Sequence, residues 1–487
     1  MSPFLLLFLA SVSVASGDEL RVDYVRQSLT ATYTHYQQFI EGVPVVGGER
    51  IESVDRDGHR FASQSLARRS EGRVIAAAVT PLAGELVYLN IEGQAIAARR
   101  VVVEEKPLQR YARYYDVTTG ALLRSDPLFW SAQGRVFDPN PVARLNMPAL
   151  QDQNDSAAAV PEAAYSIVEL PGLPASGMLI GPNVQIVDTD SPFTAHADAS
   201  QSLMFDRSQP QFEEVNAYFH IDRSQRYMQS LGYTGARQTV GYSVPVDPHA
   251  LSGSDNSFYV SLGGGEGALY FGDGGTDDAE DSDIMLHEYG HAIQDSIAPG
   301  VFGGSSASQS RAMAEGWSDY WAFSSSYAAT IASGRDPFCI GDWDARCWND
   351  DSSQECGYPV GADCLRRVDG RKTMSDYVKT EVFGIEHRNG EIFSSVMREI
   401  FLALTAGDGF EQGKRLADTI LLEATFGTPL KPTFASMARR LLDADARLTG
   451  GANARTICSA MTMRGVLAIG DCDQTPRGEV TWIPSAD

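Results

Sequence analysis

The 487-residue chain has no cysteine before residue 339, which confines any disulfide or thiolate metal site to its C-terminal third. Beyond the first residues no stretch is long and apolar enough to form a transmembrane helix, which needs about 20 such residues. No cysteine follows the apolar run at residues 4–15 to take a lipid. Positive charge is scarce: 39 Lys plus Arg face 63 Asp plus Glu, a net charge of −24. A surface of that sign argues against nucleic acid and anionic membranes as partners. The deficit is uneven, because residues 18–135 hold fifteen residues of each sign and the remainder carries the whole excess. There is no internal repeat and no fused binding module. The glycine cluster Gly263–Gly267 lacks the following Lys-Ser/Thr and the βαβ pattern of a phosphate loop.

What is present at the start is FLLLFLASVSVA, followed by Ala15, Ser16 and Gly17. This reads as a secretory signal with small residues at its cleavage point, though without basic residues ahead of it. A secreted product is expected. The six cysteines, Cys339, Cys347, Cys356, Cys364, Cys458 and Cys472, are even in number and suit disulfides in an exported chain. Proximity favours Cys458 with Cys472 and two bridges within 339–364. A second zinc site in the first four is the alternative, without a CxxC pair to support it.

From residue 20 to about 130 the pattern is strand and turn, with a helix expected near Asp23 to Leu29. TYTHYQQFIEGVPVVGGE reads as two strands around Glu41-Gly42, and RYARYYDVTTGALLRSDP as another pair around Thr119-Gly120. Residues 150–164 are small, polar and unpatterned, as in a linker. A helix follows from about Phe212 to Leu231, carrying His220 in a structural place. NSFYVSL and GALYFGDGG then read as two β segments. Beyond residue 315 apolar residues recur at helical spacing in three further helices.

One pentapeptide organises the rest. In HEYGH, His287 and His291 stand four apart, so on a helix both imidazoles project from one face and can share a metal ion, with Glu288 one step round. Met285, Leu286, Tyr289, Gly290, Ile293 and Ile297 gather on the opposite side. The acidic run Asp277–Asp283 precedes the helix, where carboxylates suit the positive end of its dipole. A catalytic zinc takes three protein ligands. The third is expected from AMAEGWSDYWA, where Glu315 would bind the metal and Asp319, four residues on, would accept the far N–H of a ligating histidine.

HEYGH followed by AEGWSDYWA resembles the gluzincin metallopeptidases, and its wording is closest to the fungalysin family, with thermolysin more distant. KPTFASMARRLLDAD and ICSAMTMRGVLAIG also resemble the end of fungalysin catalytic domains, so the likeness spans roughly residues 200–470. TYTHYQQFIEGVPVVGGE resembles the propeptide found before such domains, which implies a folding aid and intramolecular inhibitor removed on maturation. A permanent accessory domain is the alternative.

The resemblance implies an α+β fold with a β-rich and a helical catalytic lobe behind a small α+β propeptide domain. It implies a secreted zinc endopeptidase made as a zymogen, acting on protein or peptide substrates, with zinc activating a water and Glu288 as general base. His387 matches the family histidine that supports the oxyanion. Asn256 and Ser257, in NSFY, look like the edge strand that pairs with substrate. Arg366, with Arg367 beside it as the alternative, corresponds to an arginine that contacts a substrate carbonyl. The tyrosine that thermolysin has between its second histidine and third ligand is absent, and Phe302 stands near its place. Asp277–Asp283 could contribute Ca²⁺ ligands.

The expected division is a signal segment 1–17, propeptide domain 18–135, linker and maturation region 136–175, N-terminal catalytic lobe with the HEYGH helix 176–300, helical lobe 301–472 and tail 473–487. Two other functions remain open. A zinc aminopeptidase would need an acidic anchor for a free amine, and a non-catalytic binding protein on the same fold would have no need of an intact Glu288.

Overall fold

The computed structural model describes residues 18–468 except 28–30, 56–59, 70–83, 92, 107–108, 130, 174–177, 191–192, 194–195, 199–201 and 347–362. The signal segment, the tail, Cys347, Cys356 and Cys472 thus lie outside the described residues. The chain forms two units, residues 1–130 and 131–487. Its make-up is α+β, with strands dominating the first part and helices the last.

The first unit carries β1 (Asp18–Gln27), β2 (Ala31–Ile40), β3 (Val43–Asp55), β4 (Arg60–Ser65), β5 (Arg68–Arg69), β6 (Glu85–Ile91), β7 (Gln94–Lys106), β8 (Gln109–Asp116) and β9 (Leu122–Phe129). They form one sheet in the order β1-β2-β3-β6-β7-β8-β9, with β4 on β3 and β5 on β7. The Glu41-Gly42 turn joins β2 to β3 with both residues at positive φ, 51° and 78°, the mirror-image turn whose twist matches a hairpin. Alternation along β6 sends Tyr88 to one cluster, with Ile40, Val45 and Ala95. Its neighbours Val87 and Leu89 face another, with Ala98, Ala112 and Tyr114. Where a helix was expected near Asp23 to Leu29, residues 23–27 are instead the end of β1, whose register against β2 runs from Asp18↔Ile40 to Gln27↔Thr32, and residues 28–29 lie outside the described residues. Cross-strand pairing overrides a local pattern that was short and ambiguous.

The second unit opens with β10 (Ser131–Phe137), α1 (Pro141–Leu145) and β11 (Tyr165–Pro171). β10 and β11 pair antiparallel, Phe137 opposite Tyr165. Phe137, Val142, Leu150, Val160 and Ala164 are buried in one cluster with Phe212 and Trp343. Residues 136–175 were expected as a linker and maturation region, yet 136–171 of that stretch is packed. Its apolar anchors are irregularly spaced, which hides them from any periodic pattern.

Next come β12 (Val184–Ile186), α2 (Gln211–Ser230), β13 (Val244–Ala250), β14 (Ser257–Gly263) and β15 (Glu266–Gly272). The sheet order is β12-β13-β15-β14, which leaves β14 as an edge strand. The glycine cluster is the turn of the β14–β15 hairpin. In α2, His220 is fully buried, with Nε2 2.8 Å from the Phe137 carbonyl, a structural contact.

α3 (Ser282–Ile297) and α4 (Gln309–Ala332) cross next, followed by β16 (Cys339–Ile340), β17 (Arg366–Arg367), α5 (Ile385–Asp408), α6 (Phe410–Phe426), α7 (Phe434–Thr449) and α8 (Ala454–Met463). Two glycines set the helix spacing. A Cβ on Gly290 of α3 would lie 2.6 Å from Ser318 Oγ and 2.9 Å from its Cα, and one on Gly316 of α4 would lie 2.2 Å from the Gly390 carbonyl oxygen of α5. Behind them Trp317 and Trp321 stack at 5.5 Å, a contact worth about 1 kcal/mol beyond area burial. Their indole N–H groups donate to Thr425 and Ser224, so this core has no stranded donor there.

Cys339 and Cys364 are bridged, one of the two bonds expected within 339–364. Cys458 is also disulfide-bonded. Among the described residues no helix is long and apolar enough to cross a membrane.

Candidate metal centre

Asp281 caps α3, accepting the Asp283 N–H at 3.0 Å, and the helix presents His287 and His291 from one face with ring centroids 5.0 Å apart. Ser308 caps α4 by accepting the Arg311 N–H. The close approach of α3 and α4 at Gly290 brings Glu315 over the two imidazoles, and that of α4 and α5 at Gly316 brings α5, which carries His387, alongside. Glu315 Oε2 stands 3.1 Å from His287 Nε2 and 3.3 Å from His291 Nε2. Ligands at 2.0–2.1 Å on a tetrahedral ion are roughly 3.3 Å apart, so this two-histidine, one-carboxylate set fits zinc.

The support of the set is also built. His287 Nδ1 lies 2.8 Å from Asp319 Oδ1, which makes Nδ1 the donor and aims the Nε2 lone pair at the centre. Arg366 clamps Asp319 with Nε at 3.0 and 2.9 Å and Nη2 at 2.8 Å. The β16–β17 pairing holds Arg366 opposite Ile340, beside the Cys339–Cys364 bridge. Burial alone would raise the Asp319 carboxyl, but the Arg366 charge and the His287 hydrogen bond hold it well below the usual range. Burial likewise opposes ionisation of Glu315, and the His387, His291 and His287 rings overcome it and hold its carboxyl low. His287 is lifted to about 9 against burial by its bonds to Asp319 and Glu315, so a proton competes with metal for the same nitrogen.

A cavity of about 350 Å³ opens on this centre, lined among others by Ser257, Tyr259, Glu288, His291, Phe302 and His387. Glu288 Oε2 accepts the Tyr259 N–H at 2.9 Å, and Oε1 is 4.0 Å from His287 Nε2. His387, in the first turn of α5, has Nε2 3.2 Å from Glu315 Oε2 and is 38% exposed toward the cleft.

The expected substrate contacts fare differently. Ser257 lines the cavity, but its hydroxyl is committed to Asp278. Asn256 is exposed, just ahead of β14, and its carbonyl accepts the Gly272 N–H. Neither Asn256 nor Arg366 is among the cavity residues, since Arg366 sits behind His287 on Asp319. Sequence reasoning passed over Arg311, which lines the cavity and reaches Glu315 Oε1 at 3.1 Å. The signal was available as an Arg–Glu pair four apart on α4. Tyr259 had no such signal, because its contribution to Glu288 is a backbone N–H.

The acidic run ahead of α3 is packed inside the protein: Asp277, Asp278, Glu280, Asp281 and Asp283 are all buried. Asn140 donates to Asp281 at 3.1 Å, and the Trp343 N–H to Asp281 at 3.1 Å.

Residues 272–468 match the model of the fungalysin metallopeptidases (M36), and residues 19–62 match the fungalysin/thermolysin propeptide motif. Among relatives, an extracellular metalloproteinase of Pyricularia oryzae is 25% identical over 206 residues, covering 39% of this chain and 31% of its own. Extracellular metalloproteinase 2 of Phaeosphaeria nodorum is 25% identical over 261 residues, covering 48% and 39%. The matched stretches thus span about a third of these relatives' length. The precursor of protealysin, a metalloproteinase from Serratia proteamaculans, matches at 17% identity and a TM-score of 0.39, over 52% of this chain and 78% of that one. The His-Glu-His set and Glu315 lie inside the first matched stretch, so over that stretch the chain is similar to the fungalysin metallopeptidases, and its start is similar to the fungalysin/thermolysin propeptide motif.

Proposed function

We propose that this chain is a secreted zinc endopeptidase made as a zymogen. The observation that carries the reading is the pairing of Glu288 with an open sheet edge: its carboxylate accepts from Tyr259 N–H of β14 at 2.9 Å while lying beside three convergent metal donors. His287, His291 and Glu315 would hold one zinc ion, which when bound supplies Lewis-acid polarisation of a carbonyl.

The remaining work falls to the protein's own groups. An extended peptide adding to the free edge of β14 is held through its backbone, independent of its side chains. Glu288 accepts a proton from the attacking water and returns it to the leaving amine. His387 donates to the oxygen that gains charge, and Phe302, which lines the same cavity, has no proton to offer there. Asp319 positions His287, and Arg366 holds Asp319. In this reading residues 1–17 are the signal, and the domain over residues 18–135 assists folding and inhibits until it is cut away.

The test is hydrolysis of an internally quenched peptide blocked at both ends, by the secreted protein before and after a zinc-selective chelator, with zinc then restored. Chelator-sensitive cleavage that returns with zinc is expected. Cleavage only of peptides with a free amine would indicate an aminopeptidase, and no cleavage by a zinc-loaded, processed protein would indicate a binding protein. N-terminal sequencing checks maturation, with the new terminus expected between about residues 125 and 175, the window that contains the boundary between the two units at residues 130 and 131.

A further inference from the structure

Asp295 follows His291 by four residues on α3, so it continues the helix face that carries the metal donors, and it lines the same cleft. Its half-buried carboxylate is fixed from three sides. Oδ2 accepts the Tyr259 hydroxyl at 2.9 Å and the Ser261 hydroxyl at 2.6 Å, and Oδ1 accepts the Gly300 N–H at 3.1 Å. All three donors are neutral. Among the described residues no Lys, Arg or His forms an ion pair with Asp295, whereas Glu315 across the cleft has Arg311 and three imidazoles within 3.3 Å. The cleft thus presents a fixed negative charge that no side-chain cation pairs with. Oδ2 has two donors and Oδ1 only one, so Oδ1 keeps a lone pair for a further donor.

The strand beside it sets where that donor comes from. Tyr259 N–H meets Glu288 and the Ser261 hydroxyl meets Asp295, so β14 runs alongside α3 from the proton acceptor toward Asp295. That step of two strand residues covers about 7 Å. A peptide extended on the free edge of β14 advances by the same rise per residue. Its residue beside Asp295 therefore lies two or three from the bond beside Glu288.

We propose that Asp295 forms a subsite for a basic side chain, Lys or Arg, two or three residues from the scissile bond. The inference rests on the endopeptidase reading and names a substrate class for it. A free amino terminus carries the same charge, but the amine of a residue being removed singly stands only about 3.4 Å along the chain from its bond, short of Asp295.

The experiment uses zinc-loaded, processed protein and peptides blocked at both ends. Each peptide is neutral except for one residue, set to Lys, norleucine or Glu at each of three positions on either side of the cleaved bond, with products identified by mass. In the parent, Lys should exceed norleucine in kcat/KM by about tenfold at a position two or three residues from the bond, chiefly through KM, as expected of a hydrogen bond to a charged group. Glu there should fall below norleucine. Asp295→Asn keeps the volume and an acceptor for Tyr259 and Ser261, and should bring the Lys-to-norleucine ratio to about one. Asp295→Lys should reverse the order, so that Glu leads. A ratio near one in the parent overturns the proposal. So does a ratio that Asp295→Asn leaves in place while slowing every peptide alike, the mark of a residue that only braces Tyr259. In both cases the endopeptidase reading stands. No cleavage of any blocked peptide removes that reading and the subsite with it. Should a variant fail to fold, the order Lys, norleucine, Glu at that position in the parent supports the subsite, and any other order overturns it.

Discussion

Two of the sets of carboxylates buried in the second unit behave in opposite ways. At the cleft, Glu315 and Asp319 are 2% and 0% exposed yet held ionised, because His287, His291, His387 and Arg366 surround them. Away from the cleft, Glu213 and Asp277 are buried to the same degree and pushed toward the protonated form, because Arg207 is committed to Glu280 and Asp152. Burial is common to both, so it is not what decides the charge state. The placement of cationic partners decides it.

Isosteric changes sharpen that contrast, beginning at the cleft. Glu288→Gln keeps the shape and removes the proton acceptor, so kcat/KM should fall on the order of 10³-fold with zinc content and melting temperature unchanged. Metal analysis beside steady-state kinetics checks it, and near-normal turnover would sink the assignment. Next in size is His387→Ala. A donor that strengthens as the oxyanion forms acts on the transition state, so kcat should drop about 10²-fold with KM little changed. A kcat within threefold of the parent would return His387 to the role of a loop-side bystander.

Asp319→Asn should weaken zinc binding about 10- to 100-fold, read by competition against a chromogenic chelator. It removes the negative charge that both His287 and Arg366 use while sparing the volume, so normal affinity would mean that Arg366 and Asp319 merely brace the fold. The smallest effect is expected from Arg311→Gln. Its side chain is 40% exposed, and exposed ion pairs contribute about 0.2–1 kcal/mol, which caps the change in kcat/KM near fivefold. A hundredfold loss would instead make Arg311 part of the reacting site and break the distinction between buried and rim cations.

Local spacing is what the sequence states directly. The i, i+4 histidines, Glu315 with Asp319 four residues on, the hairpin glycines and the helical periodicity after residue 380 all follow from short-range geometry that a single segment carries by itself. Those expectations correspond to α3, α4, the β2–β3 and β14–β15 hairpins and α5 to α7. The disposition of isolated residues was beyond its reach. Leu150 and Val160 anchor a stretch that reads as linker, Arg366 turns to Asp319, and Tyr259 meets Glu288 through a backbone N–H that no residue type announces. The burial of Asp277–Asp283 was equally hidden, since an acidic run looks the same whether water or Asn140 and Trp343 stand opposite it. Partners distant in sequence are set only when helices close at Gly290 and Gly316, and that packing decides which carboxylates find a cation. The sequence by itself determined which residues could bind metal and move a proton; the tertiary structure decided which charges are buried, and beside what, because a charge's energy depends on its surroundings more than on its place in the chain.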